Sequence, residues 1–377
     1  MDTLSLKKKS LAVAKIICAM LLILSVLGIS AASAYDAPAS PYAIEPEVEY
    51  VAPNYHLFPN FRYDPEDLTF RIPRSHGFSL DTDRAVHTEL YHRRQYILSL
   101  PANNLWHLGY GEVTIDDDFF HSVTITPGFP RGYITLTFQA RRFFVFDVTV
   151  DEYYYIIRAM NPRERYPFIV VIDPGHGGWL PGAVHGGVRE SNLNLEVTRL
   201  LLELIEQDGY IRAYTTRNSD VHVSLLARAR FANEVGDLFL SIHHNAANNR
   251  AIHGLETFYF MRPHGDCLRH ANRDDCCEDY CEDYDGRYDD IFAGSQNFAN
   301  AMRRQLLGQL GSHNRGSHSR RFVVLRDARI PATLVELGFM SNADELSRMR
   351  TEEFQRQAAQ ALYDGLLEAF ALNPPVR

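Results

Sequence analysis

Three short apolar runs in the second half of the chain each end directly in a polar motif. The runs and the motifs that follow them are Phe168–Ile172 with Asp173-Pro174-Gly175-His176-Gly177-Gly178, Leu238–Ile242 with His243-His244-Asn245, and Thr333–Val335 with Glu336-Leu337-Gly338. Apolar runs of this length with glycine or polar residues at their ends are typical of buried strands. Strands of this kind restrict the chain to folds in which one sheet carries polar side chains along one edge.

Amphipathic segments separate these runs. Apolar residues at helical spacing mark three of them: Leu193, Val197, Leu200, Leu201 and Leu204, after a predicted start near Ser191; Phe298, Met302 and Leu306; and Phe354, Ala358, Ala361 and Leu362. Strands that alternate with helices favour a parallel sheet covered on both faces. We therefore predict an α/β fold with a mainly parallel sheet and helices on both faces.

The polar motifs predict a metal site. Because sites in open α/β sheets lie outside the carboxyl ends of the strands, His176, His243 and Glu336 should meet at one rim. Glu190, just before the predicted helix, faces the same rim. Two histidines and one carboxylate with an open position form a ligand set of hydrolytic zinc sites. Strand geometry leaves open whether His243 or His244 is the ligand, because successive side chains point to opposite faces.

Other interpretations of the same residues are weaker. A phosphate-binding loop around His176 lacks the Gly-Lys-Ser/Thr ending, and a glycosidase that uses Glu190 and Glu336 leaves both histidines without a role. Taken singly, a histidine at a strand end or a glutamate at a helix start has an ordinary structural explanation. His185, in the loop before Glu190, is a further candidate ligand and is more typical of a loop residue. The predicted meeting of several such groups at one rim favours the metal site.

Several ordered motifs together resemble the type-3 N-acetylmuramoyl-L-alanine amidases, which are zinc enzymes that cut peptidoglycan. The resemblance runs from about residue 168 to 370. Its segments are 171–178, 187–190, 216–220 with Leu225, Arg228, Ala232 and Asn233, 241–246, 254–257, and 335–342. It implies that a zinc ion is bound by His176, Glu190 and His243, the last chosen over His244 by the family pattern Ser-Ile-His-x-Asn. It also implies that Glu336 is the catalytic carboxylate and Asn245 a polar residue that contacts the substrate.

The first 162 residues have a different pattern. Residues 1–34 resemble a secretory signal peptide, with Lys7, Lys8 and Lys9 before an apolar stretch and Ala32-Ser33-Ala34 at its end; an uncleaved membrane anchor is the alternative. Residues 35–60 are a proline-rich linker. Residues 61–162 show period-two runs such as Tyr133–Phe138 and Phe144–Val150, which predict a small β-sandwich. This part resembles amidase N-terminal modules that bind cell wall, with a structural spacer as the alternative, and 163–377 is the predicted catalytic domain.

An acidic segment at 261–295 departs from the family pattern. It holds four of the five cysteines, Cys267, Cys276, Cys277 and Cys281. Three interpretations stay open: a disulfide-stapled loop, a second metal site, or a flexible acidic flap. Some family members carry an insertion here that covers the active site until an activator protein removes it, and this resemblance predicts an activator protein that acts on residues 261–295 as a partner.

Charge and context bound the function. All four lysines lie in the leader, and without the leader the chain has 34 basic and 46 acidic residues, a net charge of −12. This excludes a polyanion binder, so no nucleic-acid partner is predicted. We expect a secreted protein of the cell wall or periplasm that contacts a membrane only if the leader is uncleaved. The expected activity is hydrolysis of the muramoyl–L-alanine amide; the alternatives are a catalytically silent wall-binding or regulatory protein and a zinc peptidase of the stem peptide.

Overall fold

The computed structural model describes residues 61–73, 85–101, 109–128, 133–261 and 287–375. The predicted signal peptide, the proline-rich linker and the four cysteines of the acidic segment lie outside these ranges. Predictions about them therefore stay predictions. Within the described ranges, no helix is both long enough and apolar enough to cross a bilayer.

The first described part consists of two antiparallel sheets. Its strands are β1 Arg62–Asp64, β2 Thr69–Pro73, β3 Val86–Leu90, β4 Gln95–Pro101, β5 Gly111–Thr114, β6 Phe120–Gly128, β7 Tyr133–Ala140, β8 Val145–Val150 and β9 Tyr154–Met160. They form a four-stranded sheet, β1-β2-β9-β8, and a five-stranded sheet, β3-β4-β7-β6-β5. Every second side chain of β7 is buried, as the period-two pattern predicted.

The two sheets share one aromatic core. Phe70 on β2 and Phe138 on β7, one from each sheet, contact edge to face with ring centroids 4.9 Å apart. Phe120 on β6 contacts Phe70 at 5.1 Å in the same way. The predicted β-sandwich is therefore present as a packed unit.

The second described part alternates strands and helices. Its strands are β10 Phe168–Pro174, β11 Val184–His185, β12 Val188–Arg189, β13 Ile211–Thr215, β14 Leu238–Asn245, β15 Leu255–Tyr259, β16 Asn314–Ser319 and β17 Ala332–Phe339. Its helices are α1 Pro162–Arg165, α2 Glu190–Asp208, α3 Leu225–Val235, α4 Arg287–Leu310, α5 Val323–Arg326, α6 Ala343–Met349 and α7 Glu352–Leu372.

Six of these strands form one mixed sheet in the order β13-β10-β14-β17-β15-β16. The first four run parallel, β15 is antiparallel to β17, and β16 is parallel to β15. The short strands β11 and β12 form a separate hairpin in the loop before α2. The prediction of a mainly parallel sheet is confirmed, although the reversal at β15 was not predicted.

Helices cover both faces of the sheet, also as predicted. One face packs apolar residues such as Val170, Leu240 and Val335 against α2, α4 and α7. On the opposite face, Phe231 of α3 contacts Tyr214 of β13, with ring centroids 6.4 Å apart. Helix α2 starts at Glu190, one residue before the predicted start, and ends where Gly209 adopts φ +68°. Helix α4 begins at Arg287, so residues 287–295 of the predicted insertion are helical.

The sandwich packs directly against the α/β part. The Tyr91 hydroxyl lies 2.6 Å from Thr215 Oγ1 and accepts a hydrogen bond from the Thr215 backbone N–H at 3.1 Å. Glu89 forms an ion pair with Arg212, and both side chains are largely buried. The contact falls on β13, the edge strand beside the β10 loop that carries His176.

Candidate metal centre

The order and direction of three neighbouring strands place the predicted residues at one rim. Strands β10, β14 and β17 are adjacent and parallel, and Pro174, two residues before His176, pairs with Ile242, which directly precedes His243. His243 on β14 pairs with Glu336 on β17. His176 lies in the loop that leaves β10, and Glu190 is the first residue of α2. The structure thus brings four of the predicted residues to the same edge of the sheet.

Three of these residues converge closely enough to hold one metal ion. The ligand atoms of His176, Glu190 and His243 all lie within 4.8 Å of one another. Glu190 Oε1 is 3.2 Å from His176 Nε2 and 2.8 Å from His243 Nδ1. Ligands bonded at about 2.0 Å to a tetrahedral zinc ion are roughly 3.3 Å apart. The donor set and its spacing therefore fit zinc, and this is the observation on which the metal assignment depends.

Glycines make the convergence possible. A Cβ atom on Gly175 would lie 2.1 Å from His243 Cε1, and one on Gly182 would lie 2.4 Å from Glu190 Oε2. Contacts this short do not occur between real atoms, so each position excludes a side chain. The sequence motif around His176 is thus glycine-rich because the backbone passes close to the ligands.

Glu190 is buried and held in its ionised form. The Ala183 backbone N–H donates to Glu190 Oε2 at 2.9 Å. Burial by itself raises the pKa of this carboxyl, but hydrogen bonds and opposite charge from His176 and His243 outweigh burial and lower the pKa well below its ordinary value. A carboxylate that stays ionised is the form that binds a metal ion.

His176 occupies a strained backbone conformation. Its φ is +63°, in the left-handed region that residues with a Cβ seldom adopt. Two buried guanidinium groups hold the surrounding loop: Arg228 Nη2 donates to the His176 carbonyl at 2.7 Å, and Arg217 Nη2 donates to the Gly175 carbonyl at 2.8 Å. Strain of this kind persists only where neighbouring contacts fix the backbone, and these two arginines fix it.

Arg228 also neutralises a buried carboxylate. Its Nη1 lies 2.6 Å from Asp173 Oδ1, and the two side chains are 3 % and 1 % exposed. Thr216 and Ser241 donate to the Asp173 oxygens as well. Sequence reasoning assigned no role to Arg217, Arg228 or Asp173. The available signal was Asp173 itself, which directly follows a buried strand and therefore needs a counter-charge.

The two adjacent histidines have different environments. His243 reaches Glu190, whereas His244 is 1 % exposed and its Nδ1 lies 2.8 Å from Asn194 Oδ1. Burial lowers the pKa of His244 to about 4, against the opposing effect of Glu190. Asn194 also donates to the Gly175 carbonyl at 3.1 Å, so His244 supports the loop through Asn194. Strand geometry left this choice open, and the structure brings His243 into the cluster.

His185 lies on β11 and is not among the three clustered residues of the described chain.

Glu336 is half-buried beside the cluster. Its Oε2 atom accepts no hydrogen bond from any residue in the described ranges. Burial, followed by the negative charges of Glu190 and Glu256, raises the pKa of Glu336 well above its ordinary value. A carboxyl group with a free oxygen and a raised pKa is suited to exchanging protons.

Asn245 is engaged with its neighbours. Its Nδ2 donates to Glu256 Oε1 at 2.7 Å, and its Oδ1 accepts from the Ala246 backbone N–H at 2.7 Å. Arg315 Nε lies 3.5 Å from the other oxygen of Glu256. Asn245 therefore orients Glu256 next to Glu336, and the predicted contact of Asn245 with substrate stays a prediction. Sequence reasoning gave Glu256 and Arg315 no role.

The chain is similar to several known amidases. A family model described as N-acetylmuramoyl-L-alanine amidase matches residues 170–368. The N-acetylmuramoyl-L-alanine amidase LytC of Bacillus subtilis is 29 % identical over 202 residues, which cover 53 % of this chain and 35 % of LytC. AmiC of Escherichia coli O6:H1 is 31 % identical over 227 residues, covering 55 % of this chain and 54 % of AmiC.

A solved structure of the catalytic domain of the amidase CwlV from Bacillus (Paenibacillus) polymyxa var. colistinus is 28 % identical. It covers 55 % of this chain and 99 % of that domain, with a TM-score of 0.45. The chain spans between about a third and a half of the length of the two curated relatives. Because the family model covers more than half of the chain, this protein belongs to the N-acetylmuramoyl-L-alanine amidase family.

Proposed function

We propose that the chain hydrolyses the amide bond between N-acetylmuramic acid and the L-alanine of the peptidoglycan stem peptide, with a bound zinc ion. The observation that carries the proposal is the convergence of His176, Glu190 and His243 within 4.8 Å, with Glu336 paired to His243 across two strands. Family membership supports the choice of substrate. Since peptidoglycan lies outside the cytoplasmic membrane, the proposal places the protein in the cell wall or periplasm.

Each residue of the site has one task in this reaction. His176, Glu190 and His243 hold the zinc ion, which when bound polarises a carbonyl and makes water more acidic. Glu336 takes a proton from the attacking water as the carbon–oxygen bond forms. It then gives this proton to the departing L-alanine nitrogen as the carbon–nitrogen bond breaks. The products are a lactyl carboxyl group on the sugar and a free amine on the peptide.

The test is digestion of purified peptidoglycan followed by mass analysis of the products. The wild-type protein should release stem peptides that begin with a free L-alanine amine, with glycan strands intact. Glu336→Gln should lower turnover about 10²–10⁴-fold while its zinc content stays unchanged. Glu352→Gln, at a glutamate whose side chain is 72 % exposed on α7, is the matched control and should cleave normally.

The other outcomes separate the alternatives. Fragments cut within the stem peptide would identify a zinc peptidase, and the absence of products would identify a silent wall-binding or regulatory protein. Cleavage that survives both chelation of zinc and the Glu336→Gln change would refute the proposed chemistry. We also propose that the sandwich binds cell wall, which wall pull-down of residues 61–162 tests. The proposed activator acts on residues 261–295, and deletion of residues 262–286 tests whether this segment restrains activity.

A further inference from the structure

One aromatic side chain next to the candidate site is unusually exposed. Trp179 follows His176 by three residues, and 71 % of it is accessible to solvent. It is the most exposed large hydrophobic side chain among the residues that the structure describes. Leu180 and Val184, in the same loop, are 49 % and 52 % exposed. A cluster of exposed apolar side chains beside a site commonly marks a ligand surface.

The indole ring is held in place from one side. It stacks on the His222 imidazole with ring centroids 3.9 Å apart and an angle of 30°. Gly177 and Leu180 exchange backbone hydrogen bonds of 2.9 and 3.2 Å around Trp179. The Gly178 N–H donates to Asp220 Oδ1 at 2.8 Å. The ring therefore shows one fixed flat face to solvent.

Two glycines hold the loop of Trp179 close to a neighbouring backbone segment. Gly178 has φ +61°, and a Cβ atom there would lie 2.8 Å from the His222 backbone nitrogen. A Cβ atom on Gly177 would lie 2.3 Å from the Val221 carbonyl oxygen. The two backbone segments are thus in direct contact, and this contact fixes the loop on which Trp179 lies. Since the surface is preformed, little conformational entropy is lost when a ligand binds to it.

The surroundings of the ring favour a sugar as the ligand. Asp220, which accepts a hydrogen bond from the Gly178 N–H next to Trp179, also lies 3.9 Å from Arg189 Nη1, and about half of each of these two side chains is exposed. A pyranose ring has a flat face of C–H groups, which packs on an aromatic ring, and a rim of hydroxyl groups, which bond to carboxylates and guanidinium groups. A nucleic-acid base could also stack, but the net charge of −9 disfavours contact with the phosphates of a nucleic acid.

We propose that Trp179 is a stacking platform for an N-acetylhexosamine ring of the glycan strand, which it holds beside the metal centre. This inference rests on the proposed function for the identity of the glycan. The position of Trp179 in the same loop as His176 places a bound sugar next to the residues that act on its lactyl amide. Trp179 thus contributes to substrate affinity and has no part in the chemical step.

The chain itself provides a reporter for this proposal. It contains two tryptophans, so Trp106→Phe leaves Trp179 as the only indole fluorophore. Titration of this variant of the full chain with tetra-N-acetylchitotetraose, a β-1,4-linked N-acetylglucosamine tetramer, should change the Trp179 emission with a saturable dependence. Binding measured by calorimetry should weaken about tenfold in Trp179→Ala and less in Trp179→Phe, which keeps an aromatic face.

A matched control is Tyr210→Ala, because Tyr210 is 50 % exposed and lies at the amino end of β13, whereas Trp179 lies beyond the carboxyl end of the parallel strand β10. It should bind the tetramer normally. On peptidoglycan, Trp179→Ala should raise KM with kcat unchanged, and its thermal unfolding should match that of the wild type.

The results distinguish this proposal from the proposed function. Unchanged tetramer affinity and unchanged KM in Trp179→Ala would overturn the platform even if the chain cleaves the muramoyl amide. A fluorescence response to an L-alanyl-D-glutamate peptide with none to the tetramer would also overturn it. A response to the tetramer that is lost in Trp179→Ala would support the platform even in a chain without amidase activity, because binding is measured without turnover.

Discussion

Arg228→Met tests whether the buried arginine holds the loop of the metal centre. The guanidinium donates to Asp173 Oδ1 at 2.6 Å and to the carbonyl oxygens of Pro174, His176 and Val223 at 2.9, 2.7 and 3.0 Å. Methionine has a similar length and no donors. The change leaves a carboxylate that is 1 % exposed without its counter-charge. Breaking a buried pair in this way costs about 3–5 kcal/mol of unfolding free energy.

The assay is urea unfolding followed by Trp179 fluorescence in the Trp106→Phe background, which reports on the α/β part. With a denaturant dependence of about 2.5 kcal/mol/M, the midpoint should fall by roughly 1–2 M. Arg199→Met is the matched control, because Arg199 is 62 % exposed and lies 3.2 Å from Glu196 on the surface of α2. It should change the midpoint by an amount equivalent to less than about 0.5 kcal/mol.

The pH dependence of the stability loss in Arg228→Met is a second test. Burial raises the pKa of Asp173, but the charge of Arg228 and hydrogen bonds from Thr216 and Ser241 outweigh burial and lower it. A carboxyl with a lowered folded-state pKa stabilises the protein above its unfolded value of about 3.9, and this contribution is lost as pH falls through the folded pKa.

In Arg228→Met, the largest effect that opposes burial at Asp173 is lost, so protonation of Asp173 stabilises the variant and its deficit should shrink as pH falls. A deficit below about 1 kcal/mol, or one equal at about pH 4 and about pH 7, would refute the reasoning.

Three further changes test other contacts. Gly177→Ala should weaken zinc binding about tenfold or more, because Gly177 has φ +126° and a Cβ atom would lie 2.3 Å from the Val221 carbonyl oxygen; an unchanged Kd in chelator competition would contradict this. Tyr91→Phe removes the hydroxyl that contacts Thr215 at 2.6 Å and should lower the free energy of unfolding by about 1 kcal/mol, measured by urea unfolding; an unchanged value would show that this contact does not stabilise β13. Deletion of residues 262–286 should raise turnover on peptidoglycan if this segment covers the site, and unchanged turnover would refute a lid.

Much of the fold could be predicted because local patterns determine it. The apolar runs that end at Ile172, Ile242 and Val335 are buried strands, and each continues by two or more residues into the polar motif. The rule that sites lie at the carboxyl ends of parallel strands then required only that these strands be neighbours. The reversal at β15 was not predictable in this way. Leu255–Tyr259 is buried along its whole length, and a fully buried strand has the same sequence pattern whether it runs parallel or antiparallel to its neighbour.

The candidate site was predictable in its outline and not in its support. His176, Glu190 and His243 follow from strand and helix ends. In the structure, His244 is kept out of the cluster by Asn194, which lies one helical turn after Glu190 and forms a hydrogen bond with the His244 imidazole. Arg217 was missed because arginine is usually exposed, and sequence alone does not show that this one is 1 % exposed. Its hydrogen-bond acceptors are backbone carbonyls, which have no sequence signature.

The support of the loop explains why the site can be preformed. Arg217 donates to the carbonyls of Pro174, Gly175 and Ser191, so one side chain ties the end of β10 to the first turn of α2. The residues just before it continue this connection, since Thr216 donates to Asp173 on β10 and Thr215 contacts Tyr91 of the sandwich.

Tyr91 therefore contacts the strand that leads directly to Arg217. The sandwich is therefore in direct contact with the strand whose next residues, Thr216 and Arg217, hold the loop of the metal centre. A wall polymer that binds the sandwich would then be held by a module that packs directly on β13, whereas a module joined only by a flexible linker would have no such contact.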